Sequence, residues 1–345
     1  MAFCLLSSVG QANDTPIRSV GKAIQPLTDV PIRLVSEKVD ITIAGDRAFV
    51  SCTFNLLNEG LPVTIDVGFP RGGESDLNDF IAVVGNDTVD VTTLSSEPVY
   101  VDPDTAMKMP WWKTFKVPFN KDDREVAVRN SYWTRLGPST QQRLSHLMFT
   151  YIMTTGASWK GSIGEATFTV TLDGIETGRV TEISPDGYKR DGNRFVWRFT
   201  DFEPTSNIVI KVMEKKVYDR LVEARGMLEK NSDAARGHYL LGTVYWIEYH
   251  SSTDINDYPE NKTKAQEELL RAIALEPTLN DARWYLATLY DSKREKKLWR
   301  EQLETIVKNE PSYRCRDELF YLQFVDELSE FRADKWLQWE TAHGR

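Results

Sequence analysis

The chain has 345 residues, with 42 Lys and Arg against 51 Asp and Glu and a formal net charge of −9. That balance leaves no surplus of cations to displace phosphate counterions, which argues against a nucleic-acid binder. A content of 41% apolar and 27% charged residues is that of a folded globular protein, and the length suits two domains. No apolar run reaches the roughly 18–20 residues needed to cross a bilayer as a helix, so no transmembrane segment is expected.

Met1 to Val9 is uncharged and mostly apolar, and Gly10-Gln11-Ala12 places small residues at both positions that a signal peptidase reads. The stretch reads as the end of an export signal, although it lacks a basic leader ahead of it. It predicts a secreted or periplasmic protein of the cell envelope. Residues 13–30, with Pro16 and Pro26 and no periodicity, continue as an extended leader. Cys4 would leave with the signal. Cys52 and Cys315 are two isolated cysteines and make no disulfide framework, and Cys52 is expected as a buried free thiol.

From Ile32 the apolar residues alternate. Val39, Ile41 and Ile43, then Ala48, Val50, Cys52, Phe54 and Leu56, flank an Ala44-Gly45-Asp46 turn and predict a hairpin with one buried face. Asn58-Glu59-Gly60 precedes a strand at Val63, Ile65 and Val67, which Pro70 and the glycines after it close. Two short strands are expected around Gly85-Asn86-Asp87. A further hairpin is expected from Phe115, Val117 and Phe119 to Val126 and Val128. Later strands follow at 149–153, 168–172, 195–199 and 208–212, about ten in all. Each has one apolar face to cover, so an antiparallel β-sandwich is expected over residues 31–213, behind the leader of residues 1–30.

At Lys215 the period changes to 3.6: Val217, Leu221, Ala224, Met227 and Leu228 lie on one stripe, ending near Asn231. Tyr239-Leu240-Leu241-Gly242 with Tyr245 reappears 45 residues later as Trp284-Tyr285-Leu286-Ala287 with Tyr290. Ala265, Leu269, Ala272 and Pro277 are answered 34 residues on by Leu303, Ile306 and Pro311. The difference is an insertion inside the first copy. A period of 34 with Leu-Gly-x-x-Tyr and a closing proline resembles the tetratricopeptide repeat, which implies an α-helical protein-interaction array over residues 214–345. Helices at 215–231 and 313–341 would cover its two ends.

In that family the first helix of each pair lines a groove. The resemblance therefore implies a protein or peptide partner bound by Tyr239, Thr243, Trp246, Trp284, Thr288 and Asp291, with Ile247 and Ser292 beside them. Repeats that grip a C-terminal carboxylate use lysines and asparagines there. Tyr239, Thr243, Trp284 and Thr288 stand in those places, so that clamp is absent. For Leu241, Tyr245, Leu286 and Tyr290 the expectation is packing inside the repeat.

The β part resembles a family of secreted bacterial proteins without an agreed chemistry. The matching pieces are Ser36 to Ile41, Asn58-Glu59-Gly60 leading to Val67-Gly68-Phe69-Pro70, Tyr151 to Ile163, and Trp197 to Pro204. The resemblance implies export and a β-sandwich. Trp111-Trp112 is the better candidate for an exposed aromatic patch. Trp159, in Thr-Thr-Gly-x-x-Trp-Lys-Gly, is either a binding face or, as the commoner use of tryptophan, a plug between sheets.

Catalytic signals are absent. The four histidines, His146, His238, His250 and His343, show no His-x-x-x-His spacing, and no Cys-x-x-Cys, nucleophile elbow or phosphate loop occurs. The acidic stretches at Asp254 to Glu260 and Ser75 to Asp79 do not match a calcium loop. No cofactor, metal or catalytic residue is assigned. The expected function is an exported, non-catalytic binding or scaffold protein. The alternatives are a carbohydrate-active enzyme or glycan-binding protein with its site on the sandwich, and a self-assembling envelope component. Partner identity and oligomeric state stay open.

Overall fold

A computed structural model describes residues 20–22, 25–26, 31–71, 77–94, 111–138, 145–153, 159–250, 259–290, 294–313 and 315. They are mostly β-strands, followed by five α-helices. The largest sheet has eight strands in the order β15 (Lys189–Asp191), β16 (Arg194–Phe202), β13 (Ile163–Asp173), β3 (Ile32–Ala44), β4 (Arg47–Asn58), β10 (Glu125–Arg135), β6 (Asn78–Val84) and β7 (Asp87–Val89). A second sheet runs β1 (Val20–Lys22), β12 (His146–Ile152), β17 (Ile208–Met213), β14 (Val180–Ser184), with β11 (Gly137–Pro138) beside β12. A third runs β2 (Gln25–Pro26), β5 (Val63–Arg71), β9 (Trp111–Phe119), β8 (Thr92–Leu94).

The hairpin of β3 and β4 forms as its alternation requires, with Ala44 opposite Arg47 across the Gly45-Asp46 turn. Three sequence expectations need correction. The described β part has seventeen strands, more than the ten expected. The sheets are mixed rather than purely antiparallel, because β13 runs parallel to β3 and β1 runs parallel to β12. The hairpin expected from 115 to 128 is not one: β9 pairs with β5 and β8, while β10 pairs with β4 and β6. Alternation tells which face of a strand is buried and says nothing about its neighbour, and here the chain changes sheets at residues 120–124.

A bulge in β3 has a consequence for the interior. The register against β4 shifts between Leu34 and Ser36, so Ile32 and Leu34 face inward, and then Glu37, Val39 and Ile41 do. One extra residue reverses parity and turns a carboxyl into the core. Gly164 permits the bulge, since a Cβ there would lie 2.5 Å from the carbonyl oxygen of Val35.

The helices are α1 (Lys215–Lys230), α2 (Ala235–His250), α3 (Pro259–Leu275), α4 (Asn280–Leu289) and α5 (Lys296–Asn309). The Glu214 side chain caps α1 by accepting a 2.6 Å hydrogen bond from the Lys216 backbone N–H. Gly242 lets α2 approach α3 closely, because a Cβ there would meet Leu269 Cγ at 2.8 Å. Buried apolar residues fall into two clusters, one from Ile32 to Val212 and one from Val217 to Cys315.

Candidate functional site

The solvent-facing side of the eight-stranded sheet carries a groove of about 440 Å³. Its residues come from four adjacent strands. Thr42, Phe49 and Trp133 form one cross-strand row, and Asp40, Ser51, Ser131 and Ile81 form the next. The side-chain period of two places all of them on one face. Phe49 is 45% exposed and Ile81 50%, both large apolar residues presented to water.

Trp133 is held in place from three sides. Its indole Nε1–H donates to Asp79 Oδ2 at 2.7 Å, the Arg47 guanidinium lies 4.5 Å from the ring centroid, and Asn78 Nδ2 donates to its carbonyl at 3.3 Å. The register of β10 against β6 shifts between Ser131 and Trp133, and Leu77 and Asp79 adopt positive φ of 57° and 52°. Non-glycine residues seldom occupy that region. This irregularity brings the Asp79 carboxylate to the indole edge. Asp40 is paired with Lys38 at 2.9 Å, so both carboxylates of the groove are engaged.

A second polar group of residues lies sealed between two sheets. The Tyr151 hydroxyl on β12 donates to Glu37 Oε1 at 3.2 Å, and Cys52 Sγ lies 3.7 Å from that hydroxyl. Burial pushes the Glu37 pKa up to about 8, offset in part by the Tyr151 hydrogen bond, so the group is largely neutral at pH 7. Burial likewise raises the Cys52 thiol and the Tyr151 phenol. Cys52 and Cys315 are both buried.

Between the sheets and the helices, His146 Nδ1 on β12 lies 3.8 Å from Glu248 Oε2 on α2 and 2.9 Å from Ser145 Oγ. The spacing is that of an ion pair, yet burial, aided by the Lys211 charge, lowers the His146 pKa to about 4, and burial raises Glu248 to about 7. Near neutrality the imidazole is uncharged, so the contact is not a His⁺ carboxylate pair. Serine and glutamate both approach Nδ1, which is not the arrangement of a nucleophile triad, where base and orienting carboxylate use opposite ring nitrogens.

The expected partner-binding residues are located as follows. Tyr239, Thr243, Trp246 and Trp284 are buried at 5%, 0%, 0% and 4% exposure, which corrects their assignment to an open groove wall. Neighbouring helices close over them. The Trp246 Nε1–H donates to Thr288 Oγ1 at 2.7 Å and its ring packs edge-on against Tyr285. Thr243 accepts from Arg220, and Trp284 packs on Tyr313. Thr288 is exposed, and Asp291 lies outside the described residues. Trp159 is 4% exposed within the β core, a plug rather than a binding face. Trp111 and Trp112 sit in β9, paired through the backbone with Arg71 and Pro70, and their side chains lie outside the described residues, as does the acidic insertion at 254–258.

Sequence reasoning missed Phe49, Ile81 and Trp133. Phe49 and Trp133 occupy the polar phase of strands whose other phase is apolar, a signal that was available. It also missed Glu37, which only the bulge turns inward. Among the described residues, no group of three or more His, Cys, Asp or Glu is placed to hold a metal ion, and no helix is long and apolar enough to span a membrane. No family model and no curated protein matches the chain. Among solved structures, an M1 zinc metallopeptidase from Deinococcus radiodurans with a bound peptide substrate aligns over 87% of this chain and 93% of its own. The identity is 10% and the TM-score 0.28, a likeness that carries no argument.

Proposed function

We propose that the protein is an exported, non-catalytic binding protein. In this reading a β-sandwich unit spans residues 31–213 and a tetratricopeptide-like array spans 214–345. The ligand-contacting surface is the groove around Phe49, Ile81 and Trp133 rather than the inner wall of the helices. The observation that carries it is a contrast in exposure: Phe49 and Ile81 stand half-exposed beside an anchored indole, while Tyr239, Trp246 and Trp284 are consumed by packing. Exposed apolar side chains gathered around fixed polar groups are what binding surfaces offer.

Binding is favoured over hydrolysis. Asp40 and Asp79 stand on strands three inter-strand spacings apart, roughly 14 Å between backbones, which is long for a carboxylate pair working across about 5–10 Å. Both carboxylates are also already engaged.

The test is retention of extracted envelope components by the immobilised full chain. The double variant Phe49→Ser, Ile81→Ser is expected to lose what the parent retains. Leu61→Ser and Leu298→Ser, exposed apolar positions elsewhere, are expected to keep it. Equal retention by all four proteins would remove this face from the account.

A further inference from the structure

We infer that the groove on the eight-stranded sheet takes a neutral glycan chain, an assignment that rests on the binding-face reading above. Four features of the site select that chemistry.

The first is the scarcity of free backbone. Strands β3, β4 and β10 are each hydrogen-bonded on both sides, while β6 is paired with β10 along its length and with β7 only from Ala82 to Val84. Across β3, β4 and β10 a peptide therefore finds no unpaired N–H or C=O edge to extend as an added strand. A ligand lying over those three strands is read by side chains.

The second is what those side chains are. The groove offers the hydroxyls of Ser51, Ser131 and Thr42 and the carboxylates of Asp40 and Asp79, beside the apolar faces of Phe49 and Ile81. A pyranose ring has the complementary two-sided character, with hydroxyls on its rim and C–H groups on its faces. Hydroxyls both donate and accept, so short Ser and Thr side chains can satisfy a polyol in either direction.

Charge is the third. Lys38 pairs with Asp40, and Arg47 lies against the Trp133 ring, so the lining offers no cluster of cations for a phosphate or sulfate polymer. Only Oδ2 of Asp40 and Oδ2 of Asp79 are taken by Lys38 and the indole, so the other oxygen of each can accept from a neutral hydroxyl, and both carboxylates would repel an anionic ligand.

The fourth is preorganisation and length. Asp79 holds a left-handed backbone conformation and fixes the Trp133 indole by its edge. The lined width, from β3 to β6, is roughly 14 Å by strand spacing, longer than a single sugar ring. The volume of about 440 Å³ lies within the range of small-ligand sites.

The experiment is calorimetric titration of the full chain with neutral hexasaccharides of glucose, N-acetylglucosamine and mannose, in both α- and β-linked forms where they exist. At least one is expected to bind. Phe49→Ala and Ser131→Val are each expected to weaken that binding about tenfold, the scale of one lost aromatic or hydrogen-bond contact. Leu61→Ala should leave it unchanged, and all variants should melt with the parent. Failure of every saccharide at millimolar concentration overturns the assignment, and so does binding that ignores both groove substitutions. If no saccharide binds but the Phe49→Ser, Ile81→Ser protein still loses the extracted envelope components, the glycan assignment falls while the binding face stands. If neither assay responds to these substitutions, both fall.

Discussion

The hydroxyl of Tyr151, on the second sheet, donates to the carboxyl of Glu37, on the eight-stranded sheet, across 3.2 Å of buried interior. Burial holds Glu37 at a pKa of about 8 in the fold, against an ordinary 4.5. Between those values the unfolded chain has released a proton that the folded chain keeps, so stability falls as pH rises from 4.5 to 8. The slope attributable to this group is about 1.4 kcal/mol per pH unit. Glu37→Gln preserves the acceptor for Tyr151 and removes the titration. It is expected to match the parent near pH 5 and to be the more stable protein at pH 8. Urea unfolding at both pH values decides it, and a parent-like fall in the Gln variant would show that Glu37 is not the source.

His146 and Glu248 oppose one another. With His146 lowered to about 4, the unfolded chain takes up a proton below 6.5 that the folded chain refuses, so stability drops as pH falls from 6.5 to 4. With Glu248 raised to about 7, stability drops as pH rises from 4.5 to 7. The two slopes largely cancel between 4.5 and 6.5. Removing either partner should unmask the other. Relative to the parent, His146→Gln is expected to lose stability more steeply with rising pH, and Glu248→Gln less steeply. Identical pH profiles for the two variants would contradict this balance.

Trp246 tests whether the inner wall of the helices is filled. Its ring is fully buried and its N–H is spent on Thr288. Trp246→Ala is expected to cost about 3–5 kcal/mol in urea unfolding, and Trp246→Phe about 1–2 kcal/mol for the lost hydrogen bond and smaller ring. A parent-like midpoint for the alanine variant would return this residue to an open surface.

Gly164 tests the bulge. Its missing side chain is what allows Val35 to approach, so Gly164→Ala is expected to cost about 1–3 kcal/mol. Gly45 is the control. It has a positive φ of 59° but no atom within 4 Å of an added Cβ, and Asn tolerates that backbone, so Gly45→Asn should cost less than about 1 kcal/mol. Equal effects at the two positions would mean that close approach at Gly164 does not matter.

Period alone made several elements legible. The alternation through Val39 to Leu56 announced the first hairpin, and the 3.6 stripe from Val217 announced a helix that starts at Lys215 as expected. The copied Leu-Gly-x-x-Tyr pattern placed α2 and α4, because a helix repeats its local contacts wherever it is used. Trp159 is buried in the β core, and Tyr239, Trp246 and Trp284 are buried in the helical cluster rather than on an open wall. A tryptophan pattern shows that a ring faces a neighbour, not whether that neighbour is water or another helix.

What the amino-acid order by itself determined is local: where strands and helices run, which of their faces are apolar, and that no familiar catalytic motif is present. Those properties follow from backbone geometry and side-chain period within a few turns of chain. The tertiary structure decided which strands became neighbours, that β9 and β10 part company, that one bulge turns Glu37 inward, and that Phe49, Ile81 and Trp133 meet on an open face. These depend on pairings between residues far apart in the chain, and the energy of such a pairing is shared among partners that no single segment contains.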